Sequence, residues 1–170
     1  MQQRSATEAS ATQAPAPADE PEDLLRLEHQ VCFALHSASR AFGSVYREAL
    51  RDLELTYPQY LAMLTLWEHG ELPVKRMGEL LRLDSGTLSP LLKRLDAAGL
   101  VQRTRNPDDE RSVIVRLTSA GSALRAKAQR VPAVIAASTG LDLDELHVLH
   151  GMLARLTERL DSAGSPAAAE

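Results

Sequence analysis

The spacing of apolar residues divides the chain into an unpatterned start and a mostly helical remainder. Over residues 24–50, apolar side chains recur at steps of three and four, at Leu24, Leu27, Val31, Leu35, Ala38, Phe42, Val45 and Ala49. This spacing predicts one long amphipathic helix. A second helix is expected to begin with Thr56 as N-cap, to carry Pro58 in its first turn, and to end at Gly70.

Two short helices joined by three residues follow. The first begins at Pro73 and is predicted to turn its apolar residues inward, namely Val74, Met77, Leu80 and Leu81. The second is capped by Asp84 or Ser85, ends at Gly99, and repeats leucine at helical spacing, at Leu88, Leu91, Leu92 and Leu95. This arrangement predicts a helix-turn-helix.

A β-hairpin is predicted directly after it. Residues 100–105 and 112–117 have the composition of strands, and residues 106–111 (NPDDER) form a turn rich in residues that interrupt regular structure. A hairpin behind a helix-turn-helix is the wing of a winged-helix domain. The predicted fold class is therefore mainly α with a small β-hairpin wing, a winged helix-turn-helix.

Two helices are predicted to close the folded part. Thr118 caps one that runs to about residue 138 with a kink near Pro132, and Asp142 and Glu145 have capping-box spacing for the other. The last helix carries a leucine seam at Leu146, Leu149, Leu153, Leu156 and Leu160. A seam of about two heptads fits either an intramolecular core or a dimer interface. We favour a homodimer formed by residues 24–50 and 118–160, with residues 56–117 as the DNA-binding region.

Composition indicates which parts of the chain are folded and which partners and compartment to expect. Residues 1–23 are rich in Ser, Ala, Thr, Gln, Pro and acid and, like residues 161–170, are expected to be disordered tails. The first tail accounts for the whole net charge of −4, so an acidic balance does not argue against nucleic acid as partner. The absence of a long apolar run or leader predicts a cytoplasmic protein with no membrane contact. One cysteine, Cys32, excludes a disulfide within the chain.

Basic and hydroxyl residues gather where a winged helix meets DNA. On the helix after Asp84 the leucines face inward, which leaves outward Ser85, Thr87, Ser89, Lys93 and Arg94. Arg103, Arg105 and Arg111 lie on the wing, where an arginine at the tip can enter the minor groove. Residues 75–116 hold nine cations and six acids, so this region is locally positive. A solvated charged face is the plain alternative, but these charges fall on both DNA-binding elements. They predict binding to double-stranded operator DNA.

Three motifs carry a resemblance to a known family. The segments LTYPQYLAMLTLWE, LDSGTLSPLLKRLDAAGLV and NPDDERSVIVRLT resemble the MarR family, and LDSGTLSPLLKRL with VCFALHSASRAF resembles its organic-hydroperoxide-sensing, OhrR-type branch with one cysteine. The resemblance covers about residues 24–160. It implies a homodimeric repressor that is released when Cys32 is oxidised, with Tyr46 and Tyr57 hydrogen-bonded to its sulfur. Asp109, from the DER motif of the wing, is counted with the DNA-binding residues.

The residues themselves restrict how such a sensor could be built. Cys32 and Tyr46 lie 14 residues apart on one predicted helix, which is ~21 Å at ~1.5 Å per residue, so they can meet only across two antiparallel subunits. His36 stands where the branch often has tyrosine; it donates a hydrogen bond to the sulfur, assists the thiolate as a cation, or is a surface histidine without a role. We interpret His147 and His150 as coincidental rather than metal ligands, and we expect no cofactor.

Two other functions compete with this one. A MarR-type repressor released by non-covalent binding of a phenolic or aromatic ligand differs in that Cys32 would be dispensable. A one-cysteine thiol peroxidase would need an α/β fold with several strands, and only the two strands of the wing are predicted. We therefore expect a repressor and not an enzyme. Its oxidant would be an organic hydroperoxide, and a low-molecular-weight thiol would react with the oxidised Cys32.

Overall fold

The computed structural model describes residues 24–107 and 109–164, apart from the side chains of residues 110 and 111. The chain forms two compact units, which meet in sequence between residues 38 and 39. The tails predicted at residues 1–23 and 165–170 lie outside the described residues. Residues 161–164 were also predicted to belong to a tail, and this is wrong, because the last helix continues to Gly164.

The first unit contains a 3₁₀ turn at Leu27–His29 and the start of helix α1 (Val31–Ala49). The sequence predicted a single helix from residue 24. That boundary is wrong, because Gln30 has extended backbone angles and separates the turn from α1. None of the residues 31–49 that form α1 is buried. Near its end, Val45, Tyr46 and Ala49 pack partly against the core, whereas the earlier part of its apolar stripe stays exposed.

In the second unit, helices α2 (Tyr57–His69), α3 (Val74–Leu81) and α4 (Ser85–Ala97) form the helix-turn-helix region. Thr56 and Gln59 cap α2 reciprocally, as the predicted N-cap requires, and Gly70 ends it with a positive φ of 75°. Asp84 caps α4 by accepting a hydrogen bond from the Thr87 amide. The turn between α3 and α4 passes through Arg82 at φ 53°, the left-handed conformation that closes α3.

Three antiparallel strands form the wing sheet. The predicted hairpin consists of β2 (Val101–Asn106) and β3 (Asp109–Leu117), and a two-residue strand β1 (Leu72–Pro73) pairs with the outer side of β3, which gives the order β1-β3-β2. Val101 lies opposite Leu117, and the register shifts between Arg105 and Asn106. The sequence predicted a longer turn and missed β1, because two residues are too few to show a period of two.

The last part of the chain forms α5 (Ser119–Ala128), α6 (Val131–Thr139) and α7 (Leu143–Gly164). One kinked helix was predicted where α5 and α6 stand. Instead the chain breaks after Ala128, and Pro132 lies in the first turn of α6, where its missing N–H costs nothing. Thr118 caps α5 as predicted, and Asp142 and Glu145 form the predicted capping box through two hydrogen bonds of 2.9 Å.

The core lies between α2, α3, α4 and the sheet, and buried residues of the segment before α2 and of α5 and α6 extend it. The four leucines predicted to face inward on α4 are all buried, as are Met63, Leu66 and Met77. Leu80 was predicted to point inward, and this is wrong, since its side chain is 37% exposed. At ~100° per residue, Leu80 and Met77 differ by ~60° around α3, whereas Leu81 differs by ~40°. In the part of the chain that the structure describes, no helix is long and apolar enough to cross a membrane.

Candidate functional site

The outer face of α4 carries the predicted hydroxyl and basic residues. Because the buried leucines define the inner face of this helix, Lys93 and Arg94 are exposed, and Ser85 and Ser89 border a cleft toward the wing. Thr87 is committed to the cap, since both its amide and its hydroxyl donate to the Asp84 carboxylate at 2.9 Å. These two bonds lower the pKa of Asp84, the amide contributing most.

The cleft between α3, α4 and the wing sheet has a volume of about 740 Å³. Of the residues predicted to bind DNA, it brings together Ser85, Ser89, Arg103 and Asp109. Arg105 is exposed on β2 and does not line the cleft, and neither do Lys93 and Arg94. Arg111 belongs to β3, but its side chain lies outside the described residues. The predicted contacts are therefore divided between the cleft and the open face of the domain.

Arg103 occupies a distinctive place in this cleft. Its side chain is half-buried, and within the described part of the chain its Nε is buried without a hydrogen-bond partner. A buried guanidinium N–H that lacks an acceptor is costly, because the hydrogen bond that it makes to water in the unfolded chain is not replaced. Arg103 therefore differs from Arg105, whose exposed side chain is solvated.

Two cations of the cleft were not among the predicted site residues. Lys75 from α3 and Arg82 from the helix-turn-helix turn both line it. Their charge was visible in the local excess of cations, but their position was not, because it depends on how α3 packs beside α4. Arg116 was part of the same excess, yet its guanidinium binds the Gln102 side chain across the wing at 2.6 and 3.0 Å.

The predicted tyrosine pair is brought together in the second unit. The rings of Tyr46, near the end of α1, and Tyr57, at the start of α2, have centroids 4.3 Å apart. Burial raises the pKa of Tyr46, and the neighbouring phenols Tyr57 and Tyr60 raise it further. Burial also raises the pKa of Tyr60. Tyr46 and Tyr60 therefore stay protonated at neutral pH and keep the O–H that can donate a hydrogen bond.

Cys32 and His36 both lie in the first unit, on exposed positions of α1. They are four residues apart and so share one face of the helix. His147 and His150 are exposed on α7. Within the described residues, no group of three or more His, Cys, Asp or Glu side chains is placed to hold a metal ion.

The helix-turn-helix with its wing sheet defines a winged-helix protein, and the comparisons with known proteins refine this class. A family model described as "Transcriptional regulator SarA/Rot" matches residues 44–127. The chain is 46% identical over 138 residues to the organic hydroperoxide resistance transcriptional regulator of Bacillus subtilis strain 168, which covers 81% of this chain and 94% of that protein. It is 48% identical over 145 residues to the HTH-type transcriptional regulator TtmR of Methylorubrum extorquens strain PA1, with 85% and 74% covered.

Solved structures agree with these relatives. Reduced AbfR bound to DNA matches with 36% identity and a TM-score of 0.66, covering 81% of this chain and 96% of that one. Disulfide-formed AbfR matches with 35% identity and a TM-score of 0.56, covering 83% and 94%; AbfR is from Staphylococcus epidermidis. The chain belongs to the MarR family of winged-helix transcription regulators, in the one-cysteine branch of organic hydroperoxide regulators. The resemblance found in the motifs is confirmed.

Proposed function

We propose that the protein is a homodimeric repressor that binds an inverted-repeat operator and releases it when an organic hydroperoxide oxidises Cys32. The observation that carries the proposal is the placement of the sensor groups along α1. The chain's one cysteine is exposed near the start of this helix, and the contacting phenols of Tyr46 and Tyr57 gather at its other end. The similarity to the organic hydroperoxide resistance regulator of Bacillus subtilis and to reduced AbfR bound to DNA supports the same function.

The exposed helices support a dimer. Along residues 31–49 and 143–164 no side chain is buried, although both helices carry an apolar stripe. The exposed apolar residues include Phe33, Leu35, Phe42, Val148, Leu149, Met152, Leu153 and Leu160. Monomeric proteins rarely expose so many apolar side chains in one series, and a second copy of the chain would cover them. The leucine seam of α7 is thus better explained by an interface than by an intramolecular core.

An antiparallel pairing of the two α1 helices completes the sensor. Fourteen residues of helix separate Cys32 from Tyr46, or ~21 Å, so one subunit cannot join them. When the helices run antiparallel, Cys32 of one subunit approaches the tyrosine pair of the other. Phenolic O–H groups that donate to the sulfur favour the thiolate, the form that attacks a peroxide. His36 would lie beside the same sulfur, one turn further along.

The DNA-binding surface follows from α4 and the wing. In a winged helix, α4 enters the major groove, so Ser85 and Ser89 at its start approach base edges and phosphates, while Thr87 between them holds the cap. Lys93, Arg94 and Arg105 would neutralise backbone charge, and the guanidinium of Arg103, which lines the cleft, adds a further positive charge beside them. A symmetric dimer presents two such surfaces and selects an inverted repeat with half-sites ~10 bp, or one helical turn, apart.

The release step is a two-electron oxidation followed by a condensation. The Cys32 thiolate attacks an oxygen of the hydroperoxide, an S–O bond forms, the O–O bond breaks, and the alkoxide takes up a proton to leave as an alcohol. The resulting sulfenic acid then reacts with a low-molecular-weight thiol. An S–S bond forms, the S–O bond breaks, and water leaves. The thiol adduct would lie in the α1 interface and force the two DNA-binding surfaces apart.

An operator mobility shift with and without cumene hydroperoxide and a small thiol tests this function. The wild-type dimer should release the operator, whereas Cys32→Ser should bind with the same affinity and remain bound after treatment. The substituted hydroxyl is close to the thiol in size, but a hydroperoxide does not oxidise it. Release of Cys32→Ser under the same treatment would contradict the redox mechanism and would favour a regulator released by a non-covalent aromatic ligand.

A further inference from the structure

We propose that Trp67 is the positioning residue that connects the tyrosine pair to the base of the wing. This inference rests on the proposed redox function and deepens it. It assigns a path by which a change at Tyr46 and Tyr57 reaches the DNA-binding surface without a contact between the cysteine and the wing.

A continuous row of aromatic rings leads away from the tyrosine pair. The centroids of Tyr46 and Tyr60 are 6.2 Å apart, and those of Tyr60 and Trp67 are 6.3 Å apart in an edge-to-face arrangement at 68°. These separations fall within the range in which aromatic rings attract each other. Tyr60 is only 3% exposed, so the middle of the row has no free space into which a displaced ring could move.

The row ends on a hydrogen bond to α5. The indole Nε1 of Trp67 donates to the carbonyl oxygen of Gly121 at 2.9 Å, and the two residues lie 54 positions apart. Trp67 is half-buried, so this bond is shielded from water on one side and its loss would not be fully replaced by solvent. Gly121 is buried in the first turn of α5, immediately after the wing.

Gly121 is part of a tight junction at the base of the wing, where β2 begins and β3 ends. Its amide donates to the Thr118 hydroxyl at 3.0 Å, and that hydroxyl donates to Gly99 O at 2.6 Å, just before β2. The Thr118 amide, just after β3, donates to Leu100 O at 3.1 Å. A Cβ added at Gly121 would lie 2.0 Å from Leu100 O, so the backbones are already in close contact.

A shift of the tyrosine pair therefore has a rigid route to the wing. The rings transmit displacement because the packed core is not compressible, and the hydrogen bond from the indole N–H makes Gly121 follow the movement of Trp67. The movement changes the position of Gly121 relative to Leu100 and Thr118, and with it the base of β2 and β3. Without the hydrogen bond, the displacement would end at the indole. The coupling is a difference in affinity between two states, so it can be measured as a ratio of dissociation constants.

The test removes only the N–H. Trp67 is the one tryptophan of the chain, so a tryptophan auxotroph supplied with benzothienylalanine replaces this side chain alone and exchanges N–H for sulfur in a ring of nearly the same shape. The operator dissociation constant of the reduced dimer and the rate of Cys32 oxidation should stay close to wild type. The ratio of oxidised to reduced dissociation constants should fall by about fivefold or more.

Thr65→Val is the matched control, because it removes a buried hydrogen bond of the same helix, from Thr65 Oγ1 to Leu61 O at 2.9 Å, that does not reach the wing. It should lower stability and leave the ratio of dissociation constants unchanged. An equal loss of coupling in this control, or an unchanged ratio in the benzothienyl variant, would overturn the role of Trp67. If the wild-type protein itself does not change affinity on oxidation, the proposed function and the inference both fail.

A second measurement uses the unaltered protein. Its single indole N–H gives one NMR signal, which should shift and exchange faster with solvent after Cys32 has formed a thiol adduct. The Cys32→Ser protein, treated in the same way, should show no change. An indole signal that is identical before and after oxidation of the wild-type dimer contradicts the proposal independently of the variants.

Discussion

Arg82, in the turn between α3 and α4, forms an ion pair with Asp161, close to the end of α7. The two residues are 79 positions apart in the chain. Arg82 also has a left-handed backbone conformation, so the residue that ends α3 contacts the last helix through its side chain. Helix α7, which carries the leucine seam, therefore also contacts the helix-turn-helix. The sequence had predicted that the folded part ends at residue 160, which leaves Asp161 out of this contact.

This ion pair should contribute little to stability. Both side chains are 59% exposed, and exposed pairs contribute ~0–1 kcal/mol. We expect Asp161→Asn to lower the free energy of unfolding by less than ~1 kcal/mol, with a smaller effect in 1 M salt. Urea unfolding of Arg82→Gln, Asp161→Asn and the double variant isolates the pair in a thermodynamic cycle. A coupling energy well above ~1 kcal/mol would contradict this estimate.

The tyrosine pair should control the rate of oxidation and not the affinity for DNA. Tyr46→Phe and Tyr57→Phe each remove one O–H that can donate to the thiolate, so each should slow the oxidation of Cys32 by about tenfold, which corresponds to the loss of one hydrogen bond of ~1.4 kcal/mol to a charged group. The rate is measured by intact mass spectrometry over time. Tyr60→Phe is the control, since it removes a phenol of the same aromatic row. Equal rates in all four proteins would exclude the tyrosines from the sensor.

Lys93 and Arg103 should contribute to DNA binding in different ways. Lys93 is exposed on α4, and if it contacts phosphate, Lys93→Ala should weaken operator and random duplex equally and reduce the slope of log K against log salt by about 1. Arg103→Ala should also lower the affinity for DNA. The same substitution removes the unfavourable burial of an Nε that has no hydrogen-bond partner. Arg125→Ala, on α5, is the charge-matched control and should change neither quantity. Fluorescence anisotropy at several salt concentrations measures all three.

A small thiol should be required for full, reversible release. The chain has one cysteine, and antiparallel α1 helices would hold the two Cys32 residues of a dimer near opposite ends, beyond the ~7 Å between Cα atoms that a disulfide allows. Mass spectrometry should therefore find one thiol adduct per chain, and dithiothreitol should restore operator binding. A non-reducing gel dominated by a Cys32-linked dimer would refute both the adduct and the antiparallel arrangement.

The cap of α4 should make stability depend on pH in the acid range. Hydrogen bonds from Thr87 lower the folded-state pKa of Asp84 below its ordinary value of 3.8. The contribution of this charge is therefore complete above that value and is lost as pH falls through the folded pKa. Asp84→Asn keeps an acceptor for the Thr87 amide but cannot titrate, so its unfolding midpoint should fall less steeply below pH ~4. Parallel acid profiles of the two proteins would contradict this role.

Local signals in the sequence were sufficient for much of the fold. Thr56, Asp84, Thr118 and the pair Asp142 and Glu145 mark helix starts because their side chains satisfy backbone amides three residues away, which is a matter of spacing alone. The leucines of α4 were assigned to the core for the same reason, since helical period fixes which face they share. Where the signal was short, as at β1, or depended on a break such as Gln30, the prediction failed.

The site needed the tertiary structure. The sequence could place Arg103, Lys75 and Arg82 on three elements, but only the packing of α3 and α4 against the wing brings them to one cleft and buries the Nε of Arg103. Likewise, nothing local relates Trp67 to Gly121, because their hydrogen bond closes a loop of 54 residues. Periodicity and capping act within a few residues, so the sequence by itself determined most of the helices, the buried face of α4 and the family motifs. Contacts between distant segments depend on the whole core, and these were decided by the tertiary structure alone.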